Sequence, residues 1–166
     1  DDMPPGLEAY TRPVFGANAN GFVPIQRAAI HLRSDLTVKQ QASYTDSYFL
    51  TVVHEFGHAL GLQHSLSSGV MSTWTRATTK ARPLSDDDVA GLSFLYPAAG
   101  FSDATGAITG RVAQSGTGVN MASVVALSTT TGKAVSALTN PDGTFRIAGV
   151  TPGQYYVYAH PLPLAL

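Results

Sequence analysis

Apolar and polar positions change rhythm three times along the chain, and each change predicts a different element. Leu7 to Thr11 and Ala28 to Arg33 alternate over short runs and read as strands, with the Asn-, Gly- and Ala-rich stretch Gly16 to Gly21 as a loop between them. From residue 46 to 60 the spacing becomes helical, gathering Phe49, Val52, Val53, Phe56, Ala59 and Leu60 into an apolar stripe that is expected to pack on a core. Thr45 or Asp46 is the expected N-cap of that helix, which should run to about Leu60. A second helix should open at Ser85, with Asp88 completing a capping box and Asp86 and Asp87 facing the positive end of the helix dipole. Pro97 bounds it near Tyr96.

From Gly106 onward Gly, Thr, Ser and Val dominate and alternation returns. Strands are expected at Ala107–Val112, Ser123–Ser128, Ala134–Leu138, Thr144–Ile147 and Tyr155–Ala159. Asn140-Pro141-Asp142-Gly143 and Thr151-Pro152-Gly153 supply turns between them. The small, polar residues 98–105 read as a linker. The expected class is therefore α+β, with a mixed unit over residues 1–97 and a small all-β unit over residues 106–166.

Composition narrows the chemistry. A net charge of -1 gives no reason to expect nucleic acid or an anionic membrane as partner. The apolar runs are interrupted well before the length of a membrane span. The absence of cysteine excludes disulfides, thiolate metal sites and cysteine catalysis. What remains is histidine and carboxylate chemistry.

That chemistry is concentrated in His54-Glu55-Phe56-Gly57-His58-Ala59-Leu60-Gly61-Leu62-Gln63-His64. On a helix advancing about 100° per residue, His58 falls about 40° from His54 and one turn along, opposite the apolar stripe. Glu55 flanks that face at about 100°, placed to reach a water on a metal rather than the metal itself. This is the position of a general base. A continuous helix would carry His64 about 15 Å from His54, so the helix must stop between His58 and His64. Gly61 can end it by adopting a left-handed conformation without steric cost. Three imidazoles and an open position make a catalytic rather than a structural zinc site. A bare His-Glu-x-x-His can arise by chance; the added Gly and third His at this spacing make coincidence a poor explanation.

The same eleven residues match the metzincin consensus. In detail they resemble the matrixins, the branch of the matrix metalloproteinases, as do His64-Ser65 and Leu84-Ser85-Asp86-Asp87-Asp88-Val89-Ala90-Gly91-Leu92 with Leu95-Tyr96-Pro97. The resemblance implies a zincin-like catalytic unit with one catalytic Zn2+. It implies that Met71 forms the Met-turn beneath the ligands, although an ordinary core methionine would look the same. It implies that Asp88 ties the last helix to that turn, alongside or instead of capping its own helix. It also implies that Leu7, Glu8, Ala9 and Tyr10 belong to an edge strand along which an extended polypeptide substrate adds by β-augmentation. His31 sits where many matrixins bind a structural zinc, but Ala9 replaces the partner histidine, so His31 is read as a strand residue. Thr73 follows the Met-turn where a tyrosine switch would be needed, so none is expected; Trp74 could border a specificity pocket or simply pack. The family also has a helix and several strands ahead of the edge strand. The chain is accordingly expected to begin inside its catalytic unit and to be of low stability alone.

The C-terminal part is similar to carboxypeptidase regulatory-like domains, small prealbumin-like β-sandwiches. The similarity lies in Ile108-Thr109-Gly110-Arg111-Val112, Pro141-Asp142-Gly143-Thr144-Phe145-Arg146-Ile147 and Val150-Thr151-Pro152-Gly153-Gln154-Tyr155-Tyr156-Val157. The last strand of that fold is expected to be missing after Leu166. Tyr155, Tyr156 and Tyr158 either present an aromatic face or pack within a sheet.

Together these features lead to a zinc-dependent endopeptidase, secreted or at the cell surface, acting on polypeptides through His54, His58, His64 and Glu55. The competing expectation is a non-catalytic binding or structural fragment carrying an incomplete cleft and an interaction module. No feature of the sequence speaks to oligomeric state.

Overall fold

The computed structural model of the 166-residue chain describes residues 3–4, 6–34, 44–65, 69–72 and 84–161. Thr73 and Trp74 lie outside the described residues. The architecture is α+β.

β1 (Ala9–Phe15) and β2 (Ile25–Leu32) pair antiparallel, with Ala9 opposite Leu32 and a bulge between Val14 and Phe15. Both strands lie further toward their connecting loop than the sequence suggests, because the loop tightens only at the Ala19–Phe22 bridge, where Asn20 and Gly21 take positive φ. Ala9, Thr11 and Pro13 turn one face inward, while Arg12 and Val14 are exposed. The inward face meets α1 (Tyr44–Ala59). α1 begins ahead of the expected caps, so Thr45 and Asp46 lie inside its first turn.

The apolar stripe of α1 does not behave as the helical spacing predicts. Phe49, Phe56 and Leu60 are 46%, 55% and 41% exposed. Glu55, flanking the stripe, is instead buried. The hairpin docks on the flank of the helix that carries Glu55, so the amphipathic pattern and the packed face are rotated apart.

α2 (Asp86–Leu95) starts at Ser85, whose side chain accepts from the Asp88 N–H while the Asp88 carboxylate accepts from the Ser85 N–H. This reciprocal box is the one expected. Residues 98–105 carry a short element of their own. They contain a one-turn helix, α3 (Phe101–Ala104), closed by the Thr105 hydroxyl on the Phe101 carbonyl.

The remaining strands form the β-sandwich-like part. β3 (Gly106–Arg111) pairs with β8 (Thr144–Val150). β4 (Ala113–Gln114) and β5 (Thr117–Gly118) make a minimal hairpin, too short for any alternation to announce. β6 (Ser123–Ser128) lies between β7 (Ala134–Leu138) and β9 (Tyr155–His160), antiparallel to both. The core is Val124 and Ala126 from β6 with Ile147 and Val150 from β8, flanked by Ile108, Val135 and Phe145. Tyr155 packs on this core and donates its hydroxyl to the Thr151 carbonyl, whereas Tyr156 and Tyr158 are exposed. Alternation along β9 divides the tyrosines between the two roles.

α2 joins the two parts, lying against β7 and β8. Among the described residues no helix is long and apolar enough to cross a membrane.

Candidate metal centre and active site

The site is assembled at the C-terminal end of α1. The helix closes in a Schellman arrangement: the Leu62 N–H donates to the Gly57 carbonyl at 2.9 Å and the Gly61 N–H to the His58 carbonyl at 3.0 Å. Gly61 has φ +99°, a conformation that costs other residues dearly. Beyond this turn the chain runs back, and His64 arrives beside the helix.

The ligand atoms of His54, His58 and His64 lie within 4.8 Å of one another. His58 Nε2 is 3.1 Å from Nε2 of both His54 and His64. The opposite ring nitrogens explain what these atoms can do. His54 Nδ1 lies 2.7 Å from the Val70 carbonyl, and His58 Nδ1 lies 2.9 Å from the Leu62 carbonyl. A carbonyl oxygen only accepts, so both Nδ1 atoms carry the proton. In the neutral rings this tautomer leaves a lone pair on Nε2 of His54 and of His58, and these two atoms face each other beside the ring of His64. Lone pairs that converge without a proton between them repel, and a cation relieves the repulsion. The donor set of three imidazoles suits zinc. Partial desolvation beside the other two rings, followed by the neighbouring His58 and His54, lowers the His64 pKa below its ordinary value, with a smaller opposing effect from Glu55. That shift favours the neutral imidazole, the form that binds metal.

Met71 is 1% exposed, in the turn below the helix. The turn is anchored from two sides. Asp88, itself buried, accepts the Val70 N–H on Oδ2 at 3.0 Å and the Met71 N–H on Oδ1 at 3.2 Å. The Ser65 N–H donates to the Met71 carbonyl at 2.9 Å, which holds the residue after His64 to the same turn. Asp88 therefore serves both α2 and the turn.

Glu55 is 5% exposed. The Thr11 hydroxyl on β1 lies 2.5 Å from Glu55 Oε2 and 3.0 Å from the Glu55 carbonyl oxygen. Sequence reading missed Thr11, because no local pattern links residue 11 to residue 55. Of the expected edge strand, only Ala9 and Tyr10 fall within β1. Arg33 takes the Leu7 carbonyl through Nε at 2.7 Å, and its backbone N–H takes the Glu8 carbonyl at 2.9 Å. His31 stacks on Tyr10 at 4.5 Å on the far face of the hairpin, away from the helix.

Comparison with known proteins fits this geometry. Residues 14–97, just over half of the chain, match the family described as Matrixin. The chain belongs to the matrixin family. Residues 107–161 match the carboxypeptidase regulatory-like domain. Over 50 residues this matrixin is 46% identical to the 72 kDa type IV collagenase of Gallus gallus, covering 30% of the chain and 8% of that protein. It is 46% identical over 50 residues to matrix metalloproteinase-9 of Canis lupus familiaris, covering 30% of the chain and 7% of that protein. With matrix metalloproteinase-18 of Xenopus laevis it shares 40% identity over 50 residues, 29% of the chain and 11% of that protein. The chain thus spans a small part of the length of these relatives. No solved structure matches it.

Proposed function

We propose that this matrixin is a zinc-dependent endopeptidase, with His54, His58 and His64 binding one zinc ion and Glu55 acting as general base and then general acid. The observation that carries the proposal is the pair of carbonyl contacts on Nδ1 of His54 and His58, which leaves Nε2 lone pairs converging on one point. A bound zinc ion would supply Lewis acidity toward the scissile carbonyl and lower the pKa of water to about 7.

The chain's own groups do the rest. Glu55, buried beside β1 and held by Thr11, takes a proton from the attacking water and returns it to the departing amine. The peptide would lie extended along the outer edge of β1. Pairing of the Arg33 N–H with the Glu8 carbonyl sets the parity of the ladder: the backbone groups of Tyr10 and Arg12 point to β2, and those of Ala9 and Thr11 point outward. Pro13 fits this parity, since its missing N–H falls on the outer edge. Ala9 and Thr11 are then the residues able to exchange backbone hydrogen bonds with a substrate, and Pro13 ends the run.

Residues 1–97 form the peptidase unit in this proposal, 98–105 the connection and 106–166 the sandwich. Relatives named as collagenase and matrix metalloproteinases support an extracellular or cell-surface setting.

The test is zinc stoichiometry and peptidase activity on this chain and on Glu55→Ala. One zinc per chain in both, with activity in the parent alone, is the expected result. Zinc without activity in the parent favours a non-catalytic binding role. No zinc in the parent overturns the proposal.

A further inference from the structure

The residue after the third imidazole is tied to the β-sandwich. Ser65 donates its hydroxyl to Asp87 Oδ2 at 2.5 Å. Asp87 stands in the first turn of α2, and a further partner comes from β7, 49 residues further along the chain. The Ser136 N–H donates to Asp87 Oδ1 at 2.6 Å, and the Ser136 hydroxyl lies 3.1 Å from Oδ2 and 3.2 Å from Oδ1. The carboxylate therefore joins Ser65 on one side to a strand of the sandwich on the other.

The surroundings favour a fixed arrangement. Ala90, one turn along α2, is buried where β8 passes at Gly149; a Cβ on Gly149 would come within 3.1 Å of the Ala90 Cβ. Lys133, just ahead of β7, pairs with Asp86 at 2.8 Å. α2 is thus held to the sandwich on both sides of Asp87. On the peptidase side, the Ser65 N–H is bonded to the Met71 carbonyl, so Ser65 is held through backbone and side chain together. His64 is exposed and sits on an irregular segment, without the helical scaffold that orients His54 and His58. The next residue, Ser65, carries the backbone bond that ties this segment to the Met71 turn.

We propose that Asp87 is a positioning residue, through which Ser136 of the β-sandwich holds the Ser65 segment and so places His64. The sandwich is then a working part of the metal centre's scaffold rather than an appended module. Contacts that orient metal ligands commonly change metal affinity by about 10- to 100-fold. The inference rests on the metal-binding reading above, so its test needs a readout that does not require metal.

Two measurements on the full chain decide it, each made on the parent, Asp87→Ala, Ser136→Ala and Ser136→Thr. The first is amide hydrogen exchange of the metal-free protein. Exchange at the Ser65 amide should rise about tenfold or more in Asp87→Ala and by less in Ser136→Ala, which keeps its N–H, with Ser136→Thr close to the parent. Exchange at Val124 and Ala126 in the sandwich core should be unchanged. The second is titration with Co2+ followed by its visible absorption. Affinity should fall by about tenfold in Asp87→Ala with an altered band shape, and Ser136→Thr should match the parent. Unchanged Ser65 exchange in Asp87→Ala overturns the proposal whether or not metal binds. Equal acceleration at Ser65, Val124 and Ala126 also overturns it, because the carboxylate would then serve global stability. A parent that binds no Co2+ counts against the metal reading alone, and the exchange data still decide the role of Asp87.

Discussion

Met71 Sδ stands in the space where a side chain on Gly57 would begin. The two residues are 14 positions apart, one inside α1 between Glu55 and His58, the other in the turn that Asp88 anchors. Their contact lets the turn come close enough for the Val70 carbonyl to take the His54 ring proton. A glycine in mid-helix is ordinarily destabilising by about 1 kcal/mol. Here that loss is offset by the close approach of Met71.

Gly57→Ala should therefore destabilise the fold despite improving helix propensity. The methyl must displace Met71, and overpacking of this kind costs about 1 to 3 kcal/mol. Urea denaturation should show the loss. Because the shifted turn carries Val70, zinc affinity measured against a competing chelator should fall as well. A variant as stable as the parent would mean that Met71 can move freely.

Thr11→Val removes the hydroxyl donor from a buried carboxylate while keeping its shape. Hydrogen bonds to charged groups contribute about 1.5 to 3 kcal/mol, so Glu55 should lose its fixed orientation. The expected result is a kcat lowered by about tenfold or more with KM nearly unchanged, and recovery in Thr11→Ser. A Thr11→Ser variant as impaired as Thr11→Val would show that packing rather than the hydroxyl matters.

Removing metal should lower stability. A ligand that binds only the folded state adds about 4 kcal/mol at a thousandfold excess over its Kd. Thermal unfolding with zinc and with a chelator should differ by several degrees in the parent. His58→Ala should show no difference between the two conditions. A parent curve insensitive to chelator would mean that the three imidazoles hold no tightly bound ion.

Acid stability should respond to Asp142. The Thr144 hydroxyl first, and then the Thr144 N–H, hold its carboxyl below the ordinary value of 3.8. A depressed carboxylate pKa favours the folded state above the unfolded value, and that contribution is lost as pH falls through the folded value. Asp142→Asn should thus be slightly less stable than the parent at pH 7, with the gap closing as pH falls below the ordinary value of 3.8 and through the folded value. Thermal unfolding across that range is the check, and a gap that persists in acid would place the effect in turn geometry instead.

The parts of this matrixin that were legible in its sequence are those governed by short-range geometry. His54 and His58 share a face because a helix brings residues four apart together wherever it occurs. Gly61 is able to end α1, and Ser85 with Asp88 to start α2, through bonds spanning a few residues. Strand alternation made β6 and β7 readable to their ends, whereas β4 and β5, at two residues each, were too short to show it. Tertiary structure alone decided which groups steer those residues. Thr11 meets Glu55 only because the hairpin docks on one flank of α1, the same docking that leaves Phe49 and Phe56 exposed. Val70 orients His54, and Ser136 reaches Asp87, across separations that no periodic pattern spans. Local bonds depend on the backbone of one segment. Contacts between segments depend on how whole elements pack, and that is set by surfaces drawn from distant parts of the chain.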